Sequence, residues 1–178
     1  MKHTRIKTIL AGLLLNIPLF IPSVWAGSVT VTGRVIENTC TLDKTDTPVT
    51  LDTVSAGDIS KGADTAKKAF TVGLKDCGAD ATQVDIVTSG EADSDVADAF
   101  INAATGGDAA SGVALHFYNV NGSTEKLMKP DGSEAGASQP LNASADNVLN
   151  FKAAYTGTKE KATAGNFRSV VNFKLNYE

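Results

Sequence analysis

Histidine is scarce in this chain: its 178 residues hold two, His3 and His116. A hydrolytic triad needs an imidazole beside a nucleophile and an acid. His3 falls in the leader described below, so His116 stands alone, on the polar side of an alternating stretch where a solvated side chain is expected. No GxSxG, HExxH or phosphate-loop pattern occurs, and the residues speak against an enzyme. Basic residues are scattered and the formal net charge is −4, so nucleic acid is not an expected partner. Glu91, Asp93, Asp95 and Asp98 form the one arguable cation site, but they miss the EF-hand spacing and no glutamate closes the loop. They read as a solvated acidic loop. No metal and no cofactor is implied.

A long apolar run occurs once, from Ile9 to Ile21. Lys2, Arg5 and Lys7 precede it and Val24-Trp25-Ala26 follows, the layout of a secretory signal peptide over residues 1–26. A retained anchor is the alternative. The run falls short of the ~20 residues a spanning helix needs, and Pro18 and Pro22 interrupt it. Cleavage is therefore expected, with no stable membrane insertion afterwards, and the remaining chain is more acidic by the three lost basic residues. Cysteine is as scarce as histidine. Cys40 and Cys77 both lie beyond the leader, and two cysteines in an exported chain are most simply one disulfide. Such a link is worth about 3–4 kcal/mol in the loop-entropy model.

Long amphipathic helical stripes are missing too, and period-two alternation takes their place. Val29, Val31, Gly33 and Val35 alternate with polar residues, as do Phe70, Val72 and Leu74, then Val113, Leu115 and Phe117. Val84 and Ile86 form a shorter run, and Leu149, Phe151, Ala153 and Tyr155 another. Phe167, Ser169, Val171, Phe173, Leu175 and Tyr177 continue the pattern to the last residues. Thr105–Gly112 and Asp131–Gln139 read as loops, and Asn121-Gly122 as a hairpin turn. Only Thr65–Ala69 and Asp95–Ala104 leave room for short helical turns, and neither carries a long amphipathic stripe. The class is all-β, a single-domain sandwich.

The two ends carry the functional reading. Val171, Phe173, Leu175 and Tyr177 place four large apolar groups on one face of the terminal strand, which predicts a place inside a sheet and not at a free edge. The ordinary last strand of a sandwich has the same pattern. At the other end, Gly27–Val35 alternates directly after the cleavage site, with Gly33 interrupting its apolar face. Glycine within a strand marks close backbone approach or a shallow pocket. Such a segment can add itself to a neighbour's sheet, or serve as a plain first strand.

Several stretches in order resemble the type 1 fimbrial pilin family of the chaperone–usher pathway. They are Gly33-Arg34-Val35-Ile36-Glu37-Asn38-Thr39-Cys40, Phe70 to Cys77, Gly112 to Phe117, Phe151 to Tyr155, and Ala164 to Phe167 with Val170 to Glu178. Gly165, fourteenth from the end, and the penultimate Tyr177 match the most specific signature of that family. The resemblance implies an incomplete immunoglobulin-like β-sandwich over residues 36–178, completed by a donor strand from a neighbouring subunit. Residues 27–35, with Val29, Val31, Gly33 and Val35, would be that donor. Gly165, Phe167, Val171, Phe173, Leu175 and Tyr177 would line the acceptor groove, and the disulfide would join the early strand at Cys40 to the strand ending at Cys77. The implied partners are neighbouring pilin subunits, a periplasmic chaperone and an outer-membrane usher, with export through the periplasm to a surface fimbrium. Thr88 departs from the family, which often has an aromatic residue there, and the short stretch before Cys40 leaves both a major shaft and a minor adaptor role open. A complete secreted β-sandwich binding module that does not polymerise is the alternative.

Overall fold

Nearly every alternating stretch beyond Cys40 becomes a strand. A computed structural model describes residues 39–134 and 137–178, together with Thr32. The strands are β1 (Thr41–Leu42), β2 (Asp64–Lys75), β3 (Gln83–Ser89), β4 (Val113–Asn121), β5 (Thr124–Met128), β6 (Ser138–Pro140), β7 (Asn147–Gly157) and β8 (Asn172–Tyr177). They form a five-stranded sheet in the order β1-β2-β7-β4-β5 and a three-stranded sheet in the order β6-β3-β8. All named pairings are antiparallel.

The core lies between the sheets because alternation sends every second residue inward. Val72 and Leu74 of β2, Leu115 and Phe117 of β4, and Leu149 and Phe151 of β7 are buried against Val84 and Ile86 of β3. The Phe117 and Phe151 rings lie 5.2 Å apart, and Phe100 meets Phe117 edge-on. Full burial of such side chains stabilises by about 1.5–3 kcal/mol each. The edge strand β6 is tied across the sandwich by an amide. Gln139 Nε2 donates to Asn119 Oδ1 at 2.7 Å and to the Asn150 carbonyl at 3.0 Å, while the Asn150 N–H donates to Gln139 Oε1. All three are buried or half-buried contacts, and each keeps a polar group from being orphaned. Thr88, in the place of the expected aromatic residue, is fully buried and donates to the Lys129 carbonyl at 2.7 Å.

The hairpin from β4 to β5 pairs Asn121 with Thr124, so Gly122 and Ser123 form the loop. Gly122 has φ 60° at the first loop position, which the right-handed strand twist requires there. The turn therefore sits one residue later than its sequence signal.

Three expectations need correction. Thr65–Ala69 is not helical; it belongs to β2, where Ala66 and Lys67 oppose the single residue Ala154 in a bulge and Ala66 takes φ 49°. The helix-forming Ala-Lys-Lys-Ala run is overridden by the ladder to β7. Asp95–Ala104 holds no helix either, because Phe100 is fully buried and its backbone exchanges hydrogen bonds with Leu115. The acidic loop stays at the surface as expected: Glu91 and Asp95 are exposed and Asp93 and Asp98 half-exposed, with Lys159 3.5 Å from Asp95 and Lys129 3.2 Å from Asp98. Among the described residues, no three His, Cys, Asp or Glu side chains come together as cation ligands.

The third correction is His116. It is half-buried on the outer face of the large sheet, with Nδ1 2.7 Å from Asp64 Oδ1. Its direct ladder partner is the small, buried Ala154, which leaves room for the imidazole to reach β2. Tyr118 donates to the other Asp64 oxygen, and the bulge sets Lys67 Nζ 3.2 Å from Asp64 and 4.0 Å from the centre of the Tyr118 ring. Burial raises the Asp64 pKa, but the hydrogen bonds from Tyr118 and His116 outweigh it and hold the carboxyl below its ordinary value. Burial and the adjoining Asp64 carboxylate push the Tyr118 phenol well up.

Candidate functional site

The fully buried core has a half-buried fringe, and the fringe is confined to certain elements. Cys40, Leu42, Leu51, Phe70, Phe167, Val171, Phe173, Leu175 and Tyr177 pack on the core without being covered by it. They belong to the segment leading from β1, to the edge of β2, and to β8 with the residues before it. Val49, Leu51 and Val54 are half-buried as well, along an extended stretch that forms no strand. Asp43 makes the last ladder-like bond to β2, donating to the Gly73 carbonyl. Beyond it, β2 loses its neighbour on that side.

β8 stands at the free edge of its sheet among the described residues, pairing with β3 alone. This corrects the expectation that so apolar a strand lies inside a sheet. The register sets Tyr177 opposite Val84, Leu175 opposite Ile86 and Phe173 opposite Thr88. Those β3 partners are 0 %, 1 % and 1 % exposed, whereas Phe173, Leu175 and Tyr177 are only half-buried. The strand is also shorter than its sequence pattern, since Phe167–Val171 has no ladder to β3.

These side chains rest on the floor of the sandwich along its length. Phe167 meets Tyr155 edge-on at 5.0 Å, and Phe173 lies 6.2 Å from Phe151. Tyr177 Oη donates to the Cys40 carbonyl at 3.4 Å, closing one end beside the bonded pair Cys40–Cys77, whose sulfurs are 2.07 Å apart. Burial raises the Tyr177 phenol above its ordinary pKa, so it acts here as a neutral donor. Gly165 lies where the segment begins. A Cβ there would meet the Asp108 carbonyl oxygen and the Ala110 nitrogen at 2.4 Å, so only glycine lets residues 163–166 run against 108–111.

The structure thus brings Phe167, Val171, Phe173, Leu175 and Tyr177 into one row, with Gly165 at its head. Val29, Val31, Gly33 and Val35 lie outside the described residues. Sequence reasoning missed Leu42, Val49, Leu51 and Val54 as contributors to the fringe, although Val49-Thr50-Leu51-Asp52 carries a short alternating signal. It also missed Asn102, a polar residue with no motif around it. What the arrangement offers is an apolar trough beside a strand edge that is unpaired among the described residues, a place for another extended chain.

Comparison with known proteins agrees with this geometry. The family model described as fimbrial protein matches residues 29–178. The laminin-binding fimbrial subunit ElfA of Escherichia coli O157:H7 is 39% identical over 156 residues, covering 85% of this chain and 83% of its own. Protein LpfE of Salmonella typhimurium is 29% identical, covering 86% of this chain and 85% of its own. Among solved structures, a Burkholderia pseudomallei antigen and type I fimbria protein superposes with TM-score 0.57 at 30% identity, covering 83% of this chain and 91% of that one. The P pilus rod subunit PapA gives TM-score 0.57 at 19% identity, covering 86% and 100%, and shares the fold. The two antiparallel sheets are those of an immunoglobulin-like pilin. With the family model spanning the whole strand-forming part of the sequence, the chain belongs to the fimbrial protein family and is a structural subunit of a surface fimbria, associating there with other pilin subunits.

Proposed function

We propose that this subunit polymerises by donor-strand exchange, with residues 27–35 of one copy filling the trough beside β8 of the next. Residues 1–26 are the leader that sends it through the inner membrane. A periplasmic chaperone occupies the trough first, and an outer-membrane usher is where the next subunit's Val29, Val31, Gly33 and Val35 replace it. Gly165, Phe167, Val171, Phe173, Leu175 and Tyr177 form the receiving wall, and Cys40–Cys77 braces its closed end. One observation carries the reading: across a single ladder, the β3 residues are fully buried and their β8 partners are not.

Moving residues 27–35 behind Glu178 through a flexible linker tests it. The rearranged chain is expected to be a stable monomer that no longer polymerises, melting well above the parent. Equal melting temperatures, with a parent that stays monomeric and soluble without a chaperone, would overturn strand exchange.

A further inference from the structure

Residue parity along β8 says which way its backbone points. Glu178 and Gln83 exchange both hydrogen bonds, Glu178 N–H to the Gln83 carbonyl at 3.0 Å and the reverse at 3.4 Å. In an antiparallel ladder such bonded pairs recur at every second residue. Even-numbered residues from Asn172 to Glu178 therefore aim their N–H and C=O groups at β3, in step with the register Asn172–Ser89, Lys174–Val87 and Asn176–Asp85. Odd-numbered Phe173, Leu175 and Tyr177 aim theirs at the free edge.

β3 ends at Ser89, and the chain before Asn172 loses that support. Yet Arg168, also even-numbered, has both backbone groups bonded. Its N–H donates to Asn102 Oδ1 at 2.9 Å, and its carbonyl accepts from the Ala103 N–H at 2.6 Å. The rest of the Asn102 amide is spent on the same junction. Oδ1 also accepts from the Ala104 N–H at 3.1 Å, and Nδ2 donates to the carbonyls of Ala110 at 2.8 Å and Asn166 at 3.1 Å. The Asn102 side chain and the Ala103 backbone thus stand where a strand would be.

We propose that Asn102 is a positioning residue that extends the acceptor edge past the end of β3. By holding Arg168 as β3 holds the later even-numbered residues, it leaves Phe167, Ser169 and Val171 facing the free edge in phase with Phe173, Leu175 and Tyr177. An incoming strand then meets one continuous row of backbone groups. The inference rests on the strand-acceptance reading above and adds the length of the edge and the residue that sets it.

Position-resolved amide hydrogen exchange tests it, using the leader-free protein with a synthetic peptide of residues 27–37, long enough to lie along 167–177. The peptide is expected to protect Phe167, Ser169 and Val171 as well as Phe173, Leu175 and Tyr177 by at least 10-fold. In Asn102→Ala the protection should be confined to 173–177, with the Asn172, Lys174 and Asn176 amides unchanged. Protection restricted to 173–177 in the parent overturns the proposal while leaving the groove reading intact. Protection of none of the six removes both. Full-length protection in Asn102→Ala overturns it as well. Should that variant not fold, Asn102→Ser, which keeps a small polar group, takes its place with the same outcomes.

Discussion

β3 and β8 lie side by side in one ladder and carry similar apolar faces, yet only one of them is finished. β3 has β6 on its far side, the large sheet beneath it, and Val84, Ile86 and Thr88 sealed from solvent. β8 has the same floor and the same ladder, but its far side has no partner among the described residues, and Phe173, Leu175 and Tyr177 stay half-buried. Burial in a sandwich is set by neighbours on both flanks as much as by the identity of the side chain. A natural edge strand is usually short, charged or covered. β8 has the composition of a central strand but stands at an edge among the described residues, a mismatch that the proposed donated strand would resolve.

Removing the covalent brace at the closed end should have the largest effect. The Cys40→Ser/Cys77→Ser double variant is expected to lose about 3–4 kcal/mol in urea unfolding. Tyr177 would loosen with it, because its hydroxyl is anchored on the Cys40 carbonyl. A loss below about 1 kcal/mol would mean that the closed end is held by packing alone.

The next test compares the two strands directly. Ile86→Ala should cost about 3 kcal/mol, as large-to-small changes in a sealed core do. Leu175→Ala, its ladder partner, should cost about 1 kcal/mol in the same protein, since part of the leucine is still wet. Repeating both in the chain that carries residues 27–35 behind Glu178 should bring the second value close to the first. Equal costs in the parent would break the comparison.

Gln139→Ala should fall just below these, at about 2 kcal/mol, because it orphans the buried Asn119 amide and removes the part-buried bonds to the Asn150 backbone. It loosens β6 and so gives β3 a taste of the situation of β8. The expected readout, besides the lower urea midpoint, is faster amide exchange at Val84, which pairs with Gln139, and at Ile86, whose N–H donates to the Ala137 carbonyl beside β6.

Most of the strands could be read from period two, because alternation is the direct imprint of one face in and one face out. The trough was readable only in part. Phe173, Leu175 and Tyr177 announced a buried-type strand, but sequence cannot say on which flank a strand lacks a partner, so β8 was placed inside a sheet. Thr65–Ala69 was misread because helix propensity is local, while the bulge at Ala66 answers to Tyr155 and Ala153 on β7, far along the chain. Asn102 left no sign at all. Its four hydrogen bonds depend on three backbone segments meeting, and nothing local in Ile101-Asn102-Ala103 encodes that.

The smallest effect belongs on the opposite face, and it serves as the control for the whole comparison. Asp64 lies on the outer side of the large sheet, bonded to His116, Tyr118 and Lys67, away from the trough. Its carboxyl titrates below the ordinary value in the folded protein, so the folded state binds fewer protons there than the unfolded chain does. The stability this contributes is present above the unfolded value near ~3.9 and fades as pH falls through the lower folded value. Asp64→Asn should therefore cost about 1 kcal/mol at pH 7, and the gap to the parent should close as the solution is acidified below the carboxylate range. Urea midpoints for both proteins, taken across the acid range, give the curve. The same curve should appear in the chain with the appended donor strand, because filling the trough leaves the outer face untouched. A gap at pH 7 that shrinks when the donor strand is added would show that the two faces are coupled, and that the half-burial of β8 is not a local matter of its missing neighbour.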